Sequence, residues 1–176
     1  AEAFTREWMD VIHRDYNHPS IVVWGMLNES WGVPRIYSNR QQQDFSRALY
    51  YLARGLDTTR LVISNDGWEM TETDICAFHS YKHGEKDHKE QHDFFKESLK
   101  KVDSLHLIME KLLFAKGSSY KGQPVVLTEC GGITVKSEDK TEGVMEEAIR
   151  EHDKEWGYTS ASKSDFLEEY GRVIGA

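Results

Sequence analysis

Apolar and polar positions along the chain alternate between two periods. Phe4, Trp8, Val11 and Ile12 recur at helical spacing, so residues from Ala3 to Tyr16 are predicted to form an amphipathic helix. The unbroken apolar run Ile21 to Leu27 has the length and β-branched content of a strand buried on both faces. Pro19 blocks a helix from running into it and biases His18 toward extended backbone. Phe45, Leu49, Leu52 and Leu56 then mark a helix that covers a sheet and stops before the turn-like cluster Asp57-Thr58-Thr59-Arg60. Three more strands are expected at Leu61–Ser64, Ile75–Phe78 and Val125–Thr128. Phe94, Phe95, Leu99 and Val102 predict one helix between the last two strands. Leu105, Ile108, Met109 and Leu112 predict another, with Ser104 as its N-cap and Gly117 as its stop. A helix near Glu142–Glu155 and a final one from about Asp165, carrying Phe166, Leu167, Tyr170 and Val173, complete the pattern. No strand is expected after Glu129.

Strands alternating with helices predict parallel βα units. The link from Asn65 to Asp74 is shorter than a parallel crossover usually needs, so only a short helix is expected there. Two strands end in carboxylates. Ile21–Leu27 runs into Asn28 and Glu29, residues that packing in a buried strand would not choose. Val125–Thr128, which follows the turn cluster Lys121-Gly122-Gln123-Pro124, runs into Glu129 and then Cys130, Gly131 and Gly132. The C-terminal tip of a parallel strand is where barrel enzymes hold their catalytic groups, and the glycines let other backbone or a substrate approach closely.

The ordered stretch Asn17-His18-Pro19-Ser20, apolar strand, Asn28-Glu29 resembles the acid/base motif of glycoside hydrolase family 2, which holds β-galactosidases, β-glucuronidases and β-mannosidases. Pro124-Val125-Val126-Leu127-Thr128-Glu129-Cys130-Gly131-Gly132 resembles the nucleophile strand of the same family. A retaining glycosidase attacks the anomeric carbon with one carboxylate while a second, protonated carboxyl gives its proton to the leaving oxygen; the two stand about 5–5.5 Å apart. The resemblance implies that Glu29 is the acid/base and Glu129 the nucleophile. It further implies that Asn28 holds the sugar 2-hydroxyl. Asp74-Ile75-Cys76-Ala77-Phe78-His79-Ser80-Tyr81 is similar to the family's sixth strand, where Tyr81 would hold the nucleophile ionised and in line.

The resemblance also implies a fold. The chain is expected to be one α/β domain, residues 1–176. Its four strands would be the fourth to seventh of a (β/α)₈ barrel, with covering helices. The family's β-sandwich domains, the first three barrel strands and the last would then lie outside this sequence. Raw strand edges at Ile21–Leu27 and Val125–Thr128 would favour homo-oligomerisation. The tip after Leu61–Ser64 delivers Asn65-Asp66-Gly67-Trp68-Glu69, which also reads as a turn. Trp68 and Trp31 follow strand ends and suit either a sugar platform or loop packing. His79 shares a strand face with Tyr81 and suits either a sugar hydroxyl or a structural hydrogen bond.

Composition narrows the partners. With 176 residues, 39% hydrophobic and 30% charged, the chain can bury one core but is short of the roughly 250 residues of a full barrel. A net charge of −8 argues against nucleic acid and anionic membrane as partners and says nothing about sugars; a carbohydrate partner is what the resemblance implies. No apolar run reaches the ~18 residues of a membrane span, and no signal-type sequence opens the chain. His79, His83, His88 and His92 cluster, with His88 and His92 at the i, i+4 spacing that lets two imidazoles share a metal. No motif such as HExxH accompanies them, so no cofactor is expected, with room left for a structural cation. Cys76 and Cys130 form no spacing pattern and are expected to be free thiols. A barrel that binds carbohydrate without turning it over is the alternative from another class.

Overall fold

The structure, a computed structural model, describes residues 1–81, 89–106, 111–135 and 159–174. The chain divides into two units: Ala1–His79 with Met109–Thr128, and Ser80–Ile108 with Glu129–Ala176.

In the first unit, helix α1 (Glu2–Asp15) leads into strand β1 (Val23–Gly25), helix α2 (Arg40–Leu56) and strand β2 (Leu61–Ile63). β1 and β2 pair in parallel, with Trp24 opposite Val62. The βαβ unit forms because α2 lays one stripe on the sheet: Leu49 and Ala53 are buried with Ile12, Trp24, Met26 and Val62 in one apolar cluster. Asn39 starts α2 by accepting the Gln42 N–H at 3.1 Å. Asp57 ends it. Its buried carboxylate accepts from Trp24 Nε1 (2.9 Å), the Thr59 N–H (2.9 Å), Thr59 Oγ1 (2.6 Å) and Arg60 Nη1 (2.7 Å). Arg60 in turn donates to the Ile21 and His18 carbonyls, so the bottom of β1 is tied to the loop that enters β2.

The apolar run from Ile21 to Leu27 does not behave as a strand buried on both faces. Val22 is 71% exposed and Gly25 is exposed, while Trp24, Met26 and Leu27 are buried. Its apolar composition overstates its burial because the outer face of β1 is uncovered among the described residues. Strand β3 (Cys76–His79) is buried along its whole length and pairs with β4 (Val125–Glu129), whose Val125 and Val126 are exposed. No helix occupies the link from β2 to β3. Asp74 makes that join instead. Its N–H donates to the Val62 carbonyl, and its carboxylate accepts the Val62 N–H (both 2.9 Å), so a side chain stands where a ladder partner would be. Tyr50 donates to the same carboxylate at 2.7 Å.

In the second unit, helix α3 (Lys89–Leu99) is followed by a 3₁₀ turn at Val102–Ser104. Of the helix expected through Leu105–Leu112 with its stop at Gly117, residues 107–110 lie outside the described residues and residues 111–117 are turn and irregular backbone, with Phe114 bridged to Met70; the helix expected near Glu142–Glu155 lies outside the described residues. Contrary to the sequence expectation, strands follow Glu129. β5 (Ile133–Val135) and β6 (Thr159–Ala161) pair in parallel, Ile133 opposite Thr159. Each is three residues long, too short for alternation to stand out. Helix α4 (Phe166–Ile174) packs against β5, with Glu168 and Glu169 in its first turn, where the helix dipole favours them. Among the described residues, no helix is long and apolar enough to cross a membrane.

Candidate active site

The tip of β1 is built by continuing its pairing past the strand. Met26 N–H donates to Ile63 O (2.9 Å), Asp66 N–H to Leu27 O (2.8 Å) and Glu29 N–H to Asp66 O (2.9 Å). This zipper sets Glu29 beside Asp66. At Glu29 and Ser30 the backbone turns into the left-handed region, with φ of 50° and 61°, and Glu69 does the same at 49°. Such angles cost of order 1–3 kcal/mol each in residues other than glycine and persist only where neighbours hold them. Here Asn65 holds them. Its Oδ1 accepts the Ser30 N–H (3.0 Å), and its Nδ2 donates to Ser30 Oγ (3.0 Å) and Trp68 O (2.7 Å). Ser30 Oγ then donates to Glu69 Oε2 at 2.7 Å. The Asn-Asp-Gly stretch is thus a turn, and its side chains brace the loop that carries Glu29.

Glu29 is half-buried and meets His79 from the end of β3, with Oε1 2.8 Å from Nδ1. His79 is buried, and its Nε2 lies 3.4 Å from Asp66 Oδ1. Asp66 also accepts from Thr128 Oγ1 at 2.7 Å. Burial pushes the Asp66 carboxyl up, but the nearby His79 imidazole and hydrogen bonds from Thr128 and the Gly67 N–H outweigh it and hold its pKa below the usual carboxylate range. Gly67, at φ +96°, lies under the imidazole; a Cβ there would stand 2.8 Å from His79 Nδ1. Trp68 closes the other side, edge-on to His79 at 5.7 Å.

Trp68 is 6% exposed, with the Lys111 ammonium 5.6 Å from its ring centroid, whereas Trp31, at the turn after Glu29, is 75% exposed. Asn28 is exposed at the strand tip. In the second unit, the Tyr81 hydroxyl donates to the Glu129 carboxylate, and the Ser80 N–H donates to the Glu129 carbonyl at 3.1 Å. Of the histidine cluster, His83 and His88 lie outside the described residues. Cys76 is a buried free thiol, its pKa pushed up to about 11 by burial, and Cys130 is a free, exposed one. Asp66 and Thr128 went without a role in the sequence reading. Thr128, the residue just before a strand-end glutamate, was the available signal.

Parallel strands backed by helices, with carboxylates delivered where strands end, define an α/β domain of the kind that carries active sites at strand tips. The chain belongs to glycosyl hydrolases family 2: the model of that family's TIM barrel domain matches residues 2–171. A β-galactosidase from Alteromonas mediterranea is 32% identical over 78 residues, a stretch that covers 43% of this chain and 8% of that protein. The chain therefore spans a small part of the relative it matches.

Proposed function

We propose that this chain carries the catalytic carboxylates of a retaining hydrolase for β-linked sugars, β-galactosidase-like in substrate. Glu129 attacks the anomeric carbon and Glu29 serves as acid, then base. The observation that carries this reading is the pair of strand-end glutamates, each held by a named partner: Glu29 by His79 and Glu129 by Tyr81. A phenol donating to Glu129 fixes the orientation of its carboxyl group, as a nucleophile needs. Asn28 and the exposed Trp31 are proposed to meet the sugar. The strands β1 to β4 are read as the fourth to seventh of the barrel.

The first step breaks the C1–O bond, with its electron pair and the proton of Glu29 going to the departing oxygen, and forms a C1–O bond to Glu129. In the second, Glu29 takes a proton from water as the water oxygen displaces Glu129. No metal or cofactor enters either step. β-Glucuronidase and β-mannosidase activities use the same two carboxylates and are the alternatives within the family. Binding without turnover is the alternative outside it.

The test is covalent trapping in the full-length protein. A 2-deoxy-2-fluoro β-galactoside with an activated leaving group should inactivate it and label the peptide bearing Glu129, located by mass spectrometry. A crystal structure of the adduct would measure the separation of the carboxyls, which a retaining mechanism sets near 5–5.5 Å. A label elsewhere, or turnover with inversion at the anomeric carbon, would refute the assignment.

A further inference from the structure

The ring nitrogens of His79 each lie near a carboxylate oxygen: Nδ1 is at hydrogen-bond distance, 2.8 Å, from Glu29 Oε1, and Nε2 is at ion-pair distance, 3.4 Å, from Asp66 Oδ1. A neutral imidazole has one N–H and one lone pair, and a carboxylate has no proton to offer. Between two carboxylates, a neutral ring would therefore set lone pair against lone pair on one side. Both contacts are favourable only when Glu29, His79 and Asp66 share two protons. Asp66 keeps to its ionised form through Thr128 and the Gly67 N–H, which holds one of those protons on Nε2. The second then lies between Nδ1 and Glu29.

The ring cannot turn out of this arrangement. His79 is 2% exposed, pressed on Gly67 on one side and met edge-on by Trp68. A histidine buried this way, with a carboxylate near each nitrogen, is better placed for a structural hydrogen bond than to meet a sugar hydroxyl.

We infer that His79, oriented by Asp66, is a positioning residue that aims the Glu29 carboxyl and keeps a proton at it. The inference rests on the proposed acid/base role of Glu29. During cleavage the proton held between Glu29 and His79 passes to the glycosidic oxygen as the C1–O bond breaks. When water attacks in the second step, its proton returns to the same place, so the turnover is balanced. Asp66 takes up no proton; it holds the ring in one tautomer, as a buried carboxylate does for a histidine base elsewhere.

Aryl β-galactosides with phenols of graded acidity test this in the full-length protein. A dinitrophenolate departs without a proton, whereas an unsubstituted phenolate needs one. Glu29→Gln should lose about a hundredfold or more in kcat/KM on the phenyl substrate and less than about tenfold on the dinitrophenyl one, since general acid catalysis is worth 10²–10⁴. Asp66→Asn and His79→Ala should show the same graded loss. Asp66→Asn preserves shape and carries the test if His79→Ala does not fold. A residue that merely supported the fold would depress every substrate alike. A uniform loss, or none, in Asp66→Asn alongside a graded loss in Glu29→Gln would overturn this inference and leave the hydrolase reading standing. No graded loss in Glu29→Gln, or no hydrolysis by the unmodified protein, would overturn both.

Discussion

Asp57 is fully buried and carries four hydrogen bonds, so its removal should be the most damaging single change away from the strand tips. Asp57→Ala would strand the Trp24 indole N–H, the Thr59 N–H and hydroxyl, and Arg60, whose side chain is 12% exposed. Breaking a buried ion pair from one side costs about 3–5 kcal/mol, chiefly because the remaining charge stays buried without its partner. The neutral hydrogen bonds add about 1 kcal/mol each where no water replaces the lost acceptor. Since these costs overlap, about 4 kcal/mol is expected. At a urea m-value of about 2 kcal/mol/M, that moves the unfolding midpoint down by about 2 M, read by far-UV circular dichroism. Burial raises the Asp57 pKa, but bonds from Thr59, Trp24 and Arg60 win and hold it far below the usual range. A depressed folded pKa means the stabilisation is fully present above the unfolded value of about 3.9 and is lost as pH falls toward the folded one. Asp57→Asn should therefore destabilise the protein less at pH 3 than at pH 6. Replacing Arg60 with Met in the Asp57→Ala background should recover part of the loss. A shift below about 1 kcal/mol, or no recovery in the double variant, would refute this account.

Glu129→Gln in the full-length protein should abolish turnover, and a steady-state assay with residual activity above ~1% would count against its role as nucleophile. Gly67→Ala should fold with a penalty of about 1–2 kcal/mol for its φ of +96° and lose about a hundredfold in kcat by displacing His79; unchanged kcat would show that the ring position does not matter. A thiol reagent at pH 8 should modify Cys130 within minutes and Cys76 only after unfolding, and equal rates in the native chain would contradict the burial of Cys76. Uncovered strands should make the 176-residue chain self-associate, since Val22 just before β1 and Val125 and Val126 on β4 are exposed; light scattering that reports a stable monomer would refute this.

Local pattern determined much of this protein. Apolar residues at helical spacing place α1 and the start of α4 within a residue or two, and α2 at its C-terminal end, while its start at Arg40 lies five residues before the first marked position, Phe45. The continuous runs place β1 to β4, and the polar residues at their ends single out Glu29 and Glu129 as candidates. These features are legible because each depends on neighbours within about a dozen residues. Burial was not legible in the same way. Val22 reads as core and is exposed, because composition says what a face would prefer and only the covering elements decide whether it is covered. The strands β5 and β6 escaped notice because three residues carry too little pattern, and their pairing depends on a partner distant in the chain.

The support of Glu29 belongs to the tertiary structure alone. Asp66, Gly67 and Trp68 read as a turn, Thr128 as a strand residue and His79 as either ligand or filler. Parallel pairing past the end of β1 puts Asp66 beside Glu29, and β3 brings His79 between them. Hydrogen bonding depends on distances of a few tenths of an ångström between atoms that the sequence separates by dozens of residues, so the sequence supplied the groups and the packing of strands decided which of them met.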